Sequence, residues 1–165
     1  MVGCLAGGTR GDKILQVSPT AGNGGSELTA QAQSQGKNIS FQLNYPQFGK
    51  VNITKLNVSV EKCNMGLVES YGSRIANGKS LECIQISCKM IETTIGRGYI
   101  KADLACDQEI PSGKEYKIGV ELTGTIPKND VVESVGGFCM AADGGKEIGE
   151  SYICTPKYRI VAEKN

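Results

Sequence analysis

The chain has 165 residues, 18 basic and 17 acidic side chains and a net charge of +1, with no run of Lys or Arg that would mark a nucleic-acid footprint. Seven cysteines stand beside no histidine and no tryptophan. The usual acid–base group near neutral pH and the commonest metal ligand are therefore missing, as is the best sugar-stacking ring. No apolar run is long enough to cross a bilayer, and the size suits one domain whose core does not depend on cysteines.

Residues 1–26 read as a flexible, Gly-rich N-terminal arm, and residues 27–165 as the folded domain. Met1 to Gly8 shows neither a basic n-region nor an apolar h-region, so a leader is expected either to have been removed or never to have been present. Val2-Gly3-Cys4 resembles the small residues before a bacterial lipoprotein cysteine. Arg10-Gly11-Asp12 is an integrin-type tripeptide on the arm, a match that chance often produces in such a background. Lys13 to Val17 is the arm's one expected strand, carrying Ile14, Leu15 and Val17. Ser18 to Ser26 reads as a second flexible stretch.

Glu27 to Gln33 is polar and fits a weak strand or a short helix. Beyond it the alternation is clear. Ile39, Phe41 and Leu43 share one face, then Val51 and Ile53, and the phase shifts to Leu56, Val58 and Val60 through a bulge expected near Lys55. Leu81 to Ile95 reads as one long dense strand, turning at Gly96-Arg97-Gly98 into Tyr99 to Cys106. Tyr116, Ile118, Val120 and Leu122 alternate with outward Lys117 and Glu121. Phe138–Ala142, Ser151–Thr155 and Tyr158–Ala162 close the chain. Turn signals about ten residues apart indicate an all-β, disulfide-reinforced sandwich, Ig-like or jelly-roll-like. The core is expected to include Ile39, Phe41, Leu56, Val58, Val60, Ile118, Val120 and Leu122.

Cysteines at this density, without Cys-x-x-Cys spacing, read as disulfides of an oxidising compartment. Residues equidistant from a hairpin turn face each other. That symmetry pairs Cys88 with Cys106 about Arg97, Cys63 with Cys83 about Ser73, and Cys139 with Cys154 about the Lys146–Glu147 boundary. Cys83 and Cys88, five apart in one apparent strand, would lie roughly 17 Å apart and should not bridge each other. Cys4 is left over, a candidate for an inter-subunit bond or lipid attachment. Asn38-Ile39-Ser40, Asn52-Ile53-Thr54 and Asn57-Val58-Ser59 are glycosylation sequons, and the strand phase puts Asn38, Asn52 and Asn57 outward.

No residues are assigned to catalysis, metal or cofactor binding. Ser and Cys lack a histidine to activate them. Gly136-Gly137 and Asp143-Gly144-Gly145 read as turns, and Asp103, Asp107 and Glu109 as solvated charges without EF-hand spacing. A strand from the arm that adds to the sheet edge of the next subunit would satisfy edge hydrogen bonds. This arrangement resembles subunits of donor-strand extracellular filaments, such as archaeal surface threads and bacterial pili. The likeness is architectural and carries over no residues; the long apolar helix of type IV pilins is missing. The expectation is a non-enzymatic, secreted subunit of an extracellular homopolymer (filament, tube or surface layer) whose partners are copies of itself. The alternative is a monomeric secreted or lipid-anchored binding or adhesin domain.

Overall fold

The computed structural model describes residues 11–19, 28–46, 50–64, 82–130, 139 and 145–165. The strands are β1 (Lys13–Pro19), β2 (Thr29–Gln35), β3 (Asn38–Asn44), β4 (Asn52–Asn64), β5 (Glu82–Ile86), β6 (Cys88–Gly96), β7 (Tyr99–Cys106), β8 (Glu115–Pro127), β9 (Lys146–Ile148), β10 (Ser151–Cys154) and β11 (Lys157–Glu163). A 3-10 turn, Lys128–Asp130, follows β8. The polar segment that sequence left between strand and helix is a strand, because β2 is zipped along β3 from Thr29↔Asn44 to Gln35↔Asn38.

Four strands, in the order β2-β3-β7-β6, make one sheet, and seven make the other. In the larger sheet β8 is the spine. One of its edges pairs with β11 through Glu115–Glu121 and with β10 through Gly124–Pro127. The other edge pairs with β4 along most of its length. Strand β1 adds outside β11, β5 outside the upper part of β4, and β9 outside β10.

Alternation explains the core. In β8, Tyr116, Ile118, Val120, Leu122 and Ile126 are buried, and in β3 so are Ile39, Phe41 and Leu43. With Ile100, Leu104, Val60, Tyr158 and Ile160 they form one cluster drawn from both sheets. Each such side chain contributes about 1.5–3 kcal/mol on burial. The expected bulge in β4 is present: Ile53 pairs Gly124 and Lys55 pairs Thr123, leaving Thr54 as the extra residue. Leu56 and Val58, expected in the core, are only half-buried. Strand β5 covers β4 only from Val60 to Asn64, so the lower half of β4 has no described neighbour on that side.

The expected single strand from Leu81 to Ile95 is two strands in different sheets. The chain crosses between them at Ser87, whose N–H donates to the Asp107 carboxylate at 3.2 Å, while the Asp107 N–H donates to the Ser87 carbonyl at 2.9 Å. This pair replaces the ladder bonds lost at the crossing. The β6–β7 turn is Arg97-Gly98, with Gly98 at φ 82°, a conformation that glycine adopts without a Cβ clash.

Candidate functional site

Stacking the sheets gives the sandwich two flanks. Edge strands β1 and β2 form one, and β5 and β6 form the other.

The β1–β2 flank is closed by a buried carboxylate. Asp12 is 9% exposed, although it belongs to the tripeptide that sequence placed on an open arm. Its backbone N–H donates to the Ala32 carbonyl at 2.8 Å. Its Oδ2 accepts from the Ser34 N–H at 3.0 Å and from the Tyr116 hydroxyl. Gly11 approaches β2 so closely that a Cβ there would lie 2.8 Å from the Ala32 carbonyl oxygen. The chain's last residues complete the closure: Lys164 Nζ donates to the Ser34 carbonyl, and Asn165 Nδ2 to the Gly11 carbonyl at 2.8 Å. Burial, then the Asp12 hydrogen bond and charge, hold the Tyr116 hydroxyl well above its usual pKa. The Asp12 carboxylate is therefore a structural anchor, buried rather than presented on an open arm. A groove of about 360 Å³ borders it, lined by residues including Ile14, Ala30 and Gln42.

Strand β1 lies on its own domain's β11, from Lys13↔Glu163 to Pro19↔Tyr158. Ile14 and Val17 pack against the core. Leu15 does not: the register shifts between Ile14 and Gln16, and Leu15, at that bulge, is 40% exposed.

The β5–β6 flank is pinned covalently. Cys63–Cys83 ties β5 to β4 and Cys88–Cys106 ties β6 to β7. Both pairs are direct cross-strand partners, with Cα atoms 4.0 and 3.9 Å apart. Cys139–Cys154 is the third bond, but not by the symmetry that suggested it. The local hairpin is β9–β10, turning at Gly149-Glu150 rather than at Lys146–Glu147. This flank also exposes apolar side chains: Ile84, Met90, Ile91 and Ile95 are 40–64% exposed. Sequence did not single these out, because a dense apolar run reads as buried until its neighbours are known.

Asn38, Asn52 and Asn57 are all exposed. The β4 bulge explains why two asparagines five apart share a face. They pair with Thr125 and Glu121, four apart on β8, an even spacing that returns to the same side. Asn57 Nδ2 lies 3.4 Å from Glu121 Oε1 and lines an outward hollow of about 300 Å³; Asn52 lines another of about 500 Å³. Of the calcium candidates, Asp107 is engaged by Ser87 and Asp103 lies opposite Glu92. Among the described residues no three His, Cys, Asp or Glu side chains are grouped to hold a metal, and no helix is long and apolar enough to cross a membrane. Cys4, Gly136-Gly137 and Asp143-Gly144 lie outside the described residues.

Elsewhere, Tyr45 stacks on Tyr158 at 5.7 Å between ring centres, and burial pushes its hydroxyl up to about 12. Lys128 pairs with Glu147 and reaches over the Tyr152 ring. Comparison with protein-family models, with curated proteins and with solved structures finds no match to this chain.

Proposed function

We propose that this chain is a secreted structural subunit of an extracellular homopolymer, assembled by donation of its N-terminal strand. The observation that carries the reading is the position of β1. It is an edge strand whose ladder bonds go to one neighbour, β11, with Gly11 and Asp12 at its start tied to β2, β8 and the C-terminus, and Gly-rich residues 20–27 follow it in sequence. The place that β1 holds beside β11 is the same place that β1 of another copy would fill. Exchange of an identical element is a low-cost route to association, because it creates no new contact chemistry. Eight residues, fully extended, reach about 28 Å, enough to span to an adjacent subunit.

Three disulfides fit an oxidising, extracellular compartment. Outward Asn38, Asn52 and Asn57 are glycan acceptors in this reading, on faces that assembly through strand edges leaves open. Cys4 would secure contacts already made by the strand.

The test is electron microscopy of the intact chain beside a variant lacking residues 1–18. Filaments, tubes or sheets are expected from the intact chain, and folded monomers from the deletion variant. Polymers from the deletion variant would remove strand donation. No polymer from the intact chain at any concentration or pH would favour the monomeric binding domain.

A further inference from the structure

We infer that β6 is a self-complementary edge, and that two copies of this chain pair antiparallel through it, β6 against β6, into one continuous eight-stranded sheet. The inference stands apart from strand donation, which uses the opposite flank.

Among the described residues strand β6 is the outermost of the smaller sheet, and Lys89 to Ile95 are exposed without interruption. Met90, Ile91 and Ile95 are 40%, 64% and 43% exposed, an apolar row on an open edge. Its charges define the register. Lys89 lies opposite Ala105 and Glu92 opposite Asp103, both outward positions of β7. Lys89 and Glu92 thus share the outward face. Glu92 sits directly across from a like charge, an unfavourable cross-strand pair. Among the described residues neither Lys89 nor Glu92 is in an ion pair.

An antiparallel two-fold pairing that sets Lys89 of each copy opposite Glu92 of the other supplies the missing cation beside Glu92 and Asp103, twice. The same register sets Cys88 against Thr93 and places Met90 and the bulged Ile91 of both copies about the two-fold axis. The backbone on either side of the bulge agrees with it. Cys88 and Cys106, with Cα atoms 3.9 Å apart, have the close spacing of a non-hydrogen-bonded pair, so the Cys88 N–H and C=O turn toward the open edge. Counting back from the two-residue turn, Gly96 bonds to Tyr99, so Ile95 and Thr93 also turn outward. Cys88 and Thr93 therefore meet as a bonded pair, and Lys89 and Glu92 as the closely spaced pair between strands.

A lysine and a bulge on an edge strand discourage indiscriminate pairing, and β6 has both, the bulge falling at Ile91. Glu92, three positions after Lys89, converts that defence into selection: other registers leave the charges unmatched, and this one matches all four.

The full-length protein is prepared in light and isotopically heavy forms, mixed, and treated with a zero-length carbodiimide cross-linker. Lys89–Glu92 peptides with one light and one heavy half are expected; such hybrids form only between copies, whether the assembly is a dimer or a polymer. Charge variants then test register by sedimentation velocity and by hybrid yield. Lys89→Glu and Glu92→Lys should each weaken association about tenfold or more, and the double swap should restore it. Glu92→Lys also removes the clash with Asp103, so its fold should be at least as heat-stable as the parent's, which separates lost pairing from lost folding. No hybrid peptides at on the order of 100 µM protein, a range that detects weak association, would overturn the inference. So would a double swap that behaves like the single variants. A discrete dimer that grows no further would uphold it while removing the homopolymer.

Discussion

The two flanks of the sandwich solve one problem, holding an edge strand in place, by different chemistry. At the β1–β2 flank a single carboxylate accepts from a backbone N–H and a phenol, and two C-terminal residues bond back to the chain. At the β5–β6 flank two cross-strand disulfides do the holding, and apolar side chains remain exposed. A closure made of hydrogen bonds can open and re-form with an identical segment from another copy. A covalent one holds its strand rigid, ready to pair. The first flank suits exchange and the second suits docking.

The largest effect should come from the core that both flanks share. Val120 is 1% exposed at the centre of β8, between β4 and β11. Val120→Asp is expected to prevent folding, since an unpaired buried charge costs far more than the lost methyls. Circular dichroism and solubility read this directly. A folded variant would mean that the two flanks do not depend on one core.

Next come the covalent pins. Replacing Cys88 and Cys106 together by Ser opens a link across 18 residues of sequence, a loss of about 3 kcal/mol in the unfolding free energy read from denaturant titrations. Faster amide exchange should appear in β6 and not in β1. Equal loosening of both strands would mean that the two flanks are not held separately.

At the other flank, Asp12→Ala strands the Tyr116 hydroxyl and the Ser34 N–H in the interior, at a cost of about 2–4 kcal/mol. Asp12→Asn keeps an acceptor and should cost less. Exchange should quicken in β1 while β6 stays protected, and added reductant should have no influence on the difference. If Asp12→Ala loosens β6 as much as β1, the two closures are not independent.

The smallest effects are electrostatic. Glu115 is buried beside β11, and its pKa is raised by burial first of all, with Lys117 opposing and Glu163 adding a smaller push upward. Between its unfolded and folded pKa values the native state holds more protons than the unfolded chain, so stability falls as pH rises through that window. Glu115→Gln should be slightly more stable than the parent at neutral pH and indistinguishable from it below pH 4. The raised Tyr45 and Tyr116 hydroxyls act in the same sense at high pH. The unfolded chain releases those protons first, so stability should decline as pH climbs past 10. Thermal melts of parent and Glu115→Gln check the signs: a parent that gains on Glu115→Gln as pH rises in the acid range, or a parent melting temperature that rises past pH 10, would contradict them.

Much of this molecule follows from local pattern. A strand's side chains alternate with period two whatever surrounds it. The inward phase of Ile39, Phe41, Leu43, Ile118, Val120 and Leu122, the bulge in β4 and the outward set of Asn38, Asn52 and Asn57 could therefore be read from residue order. Cys88 and Cys106 also face each other for a local reason, though not the expected symmetry about Arg97: the two-residue turn at Arg97-Gly98 would set Cys88 opposite Asp107, and the bulge at Ile91 moves it opposite Cys106. What tertiary structure decided was the company each edge keeps. Leu56 and Val58 have the same inward phase as Val60 but stay half-buried, because β5 stops short of them. The run through Ser87 divides between two sheets, because Asp107 takes up the backbone groups at the crossing. Met90, Ile91 and Ile95 stay exposed because no described strand lies outside β6. Asp12 is buried because β2 and β8 converge on it from 22 and 104 residues away, while the C-terminal Asn165 bonds to the neighbouring Gly11. Periodicity is a property of a segment. Burial depends on neighbours brought from distant parts of the chain, and no local pattern encodes them.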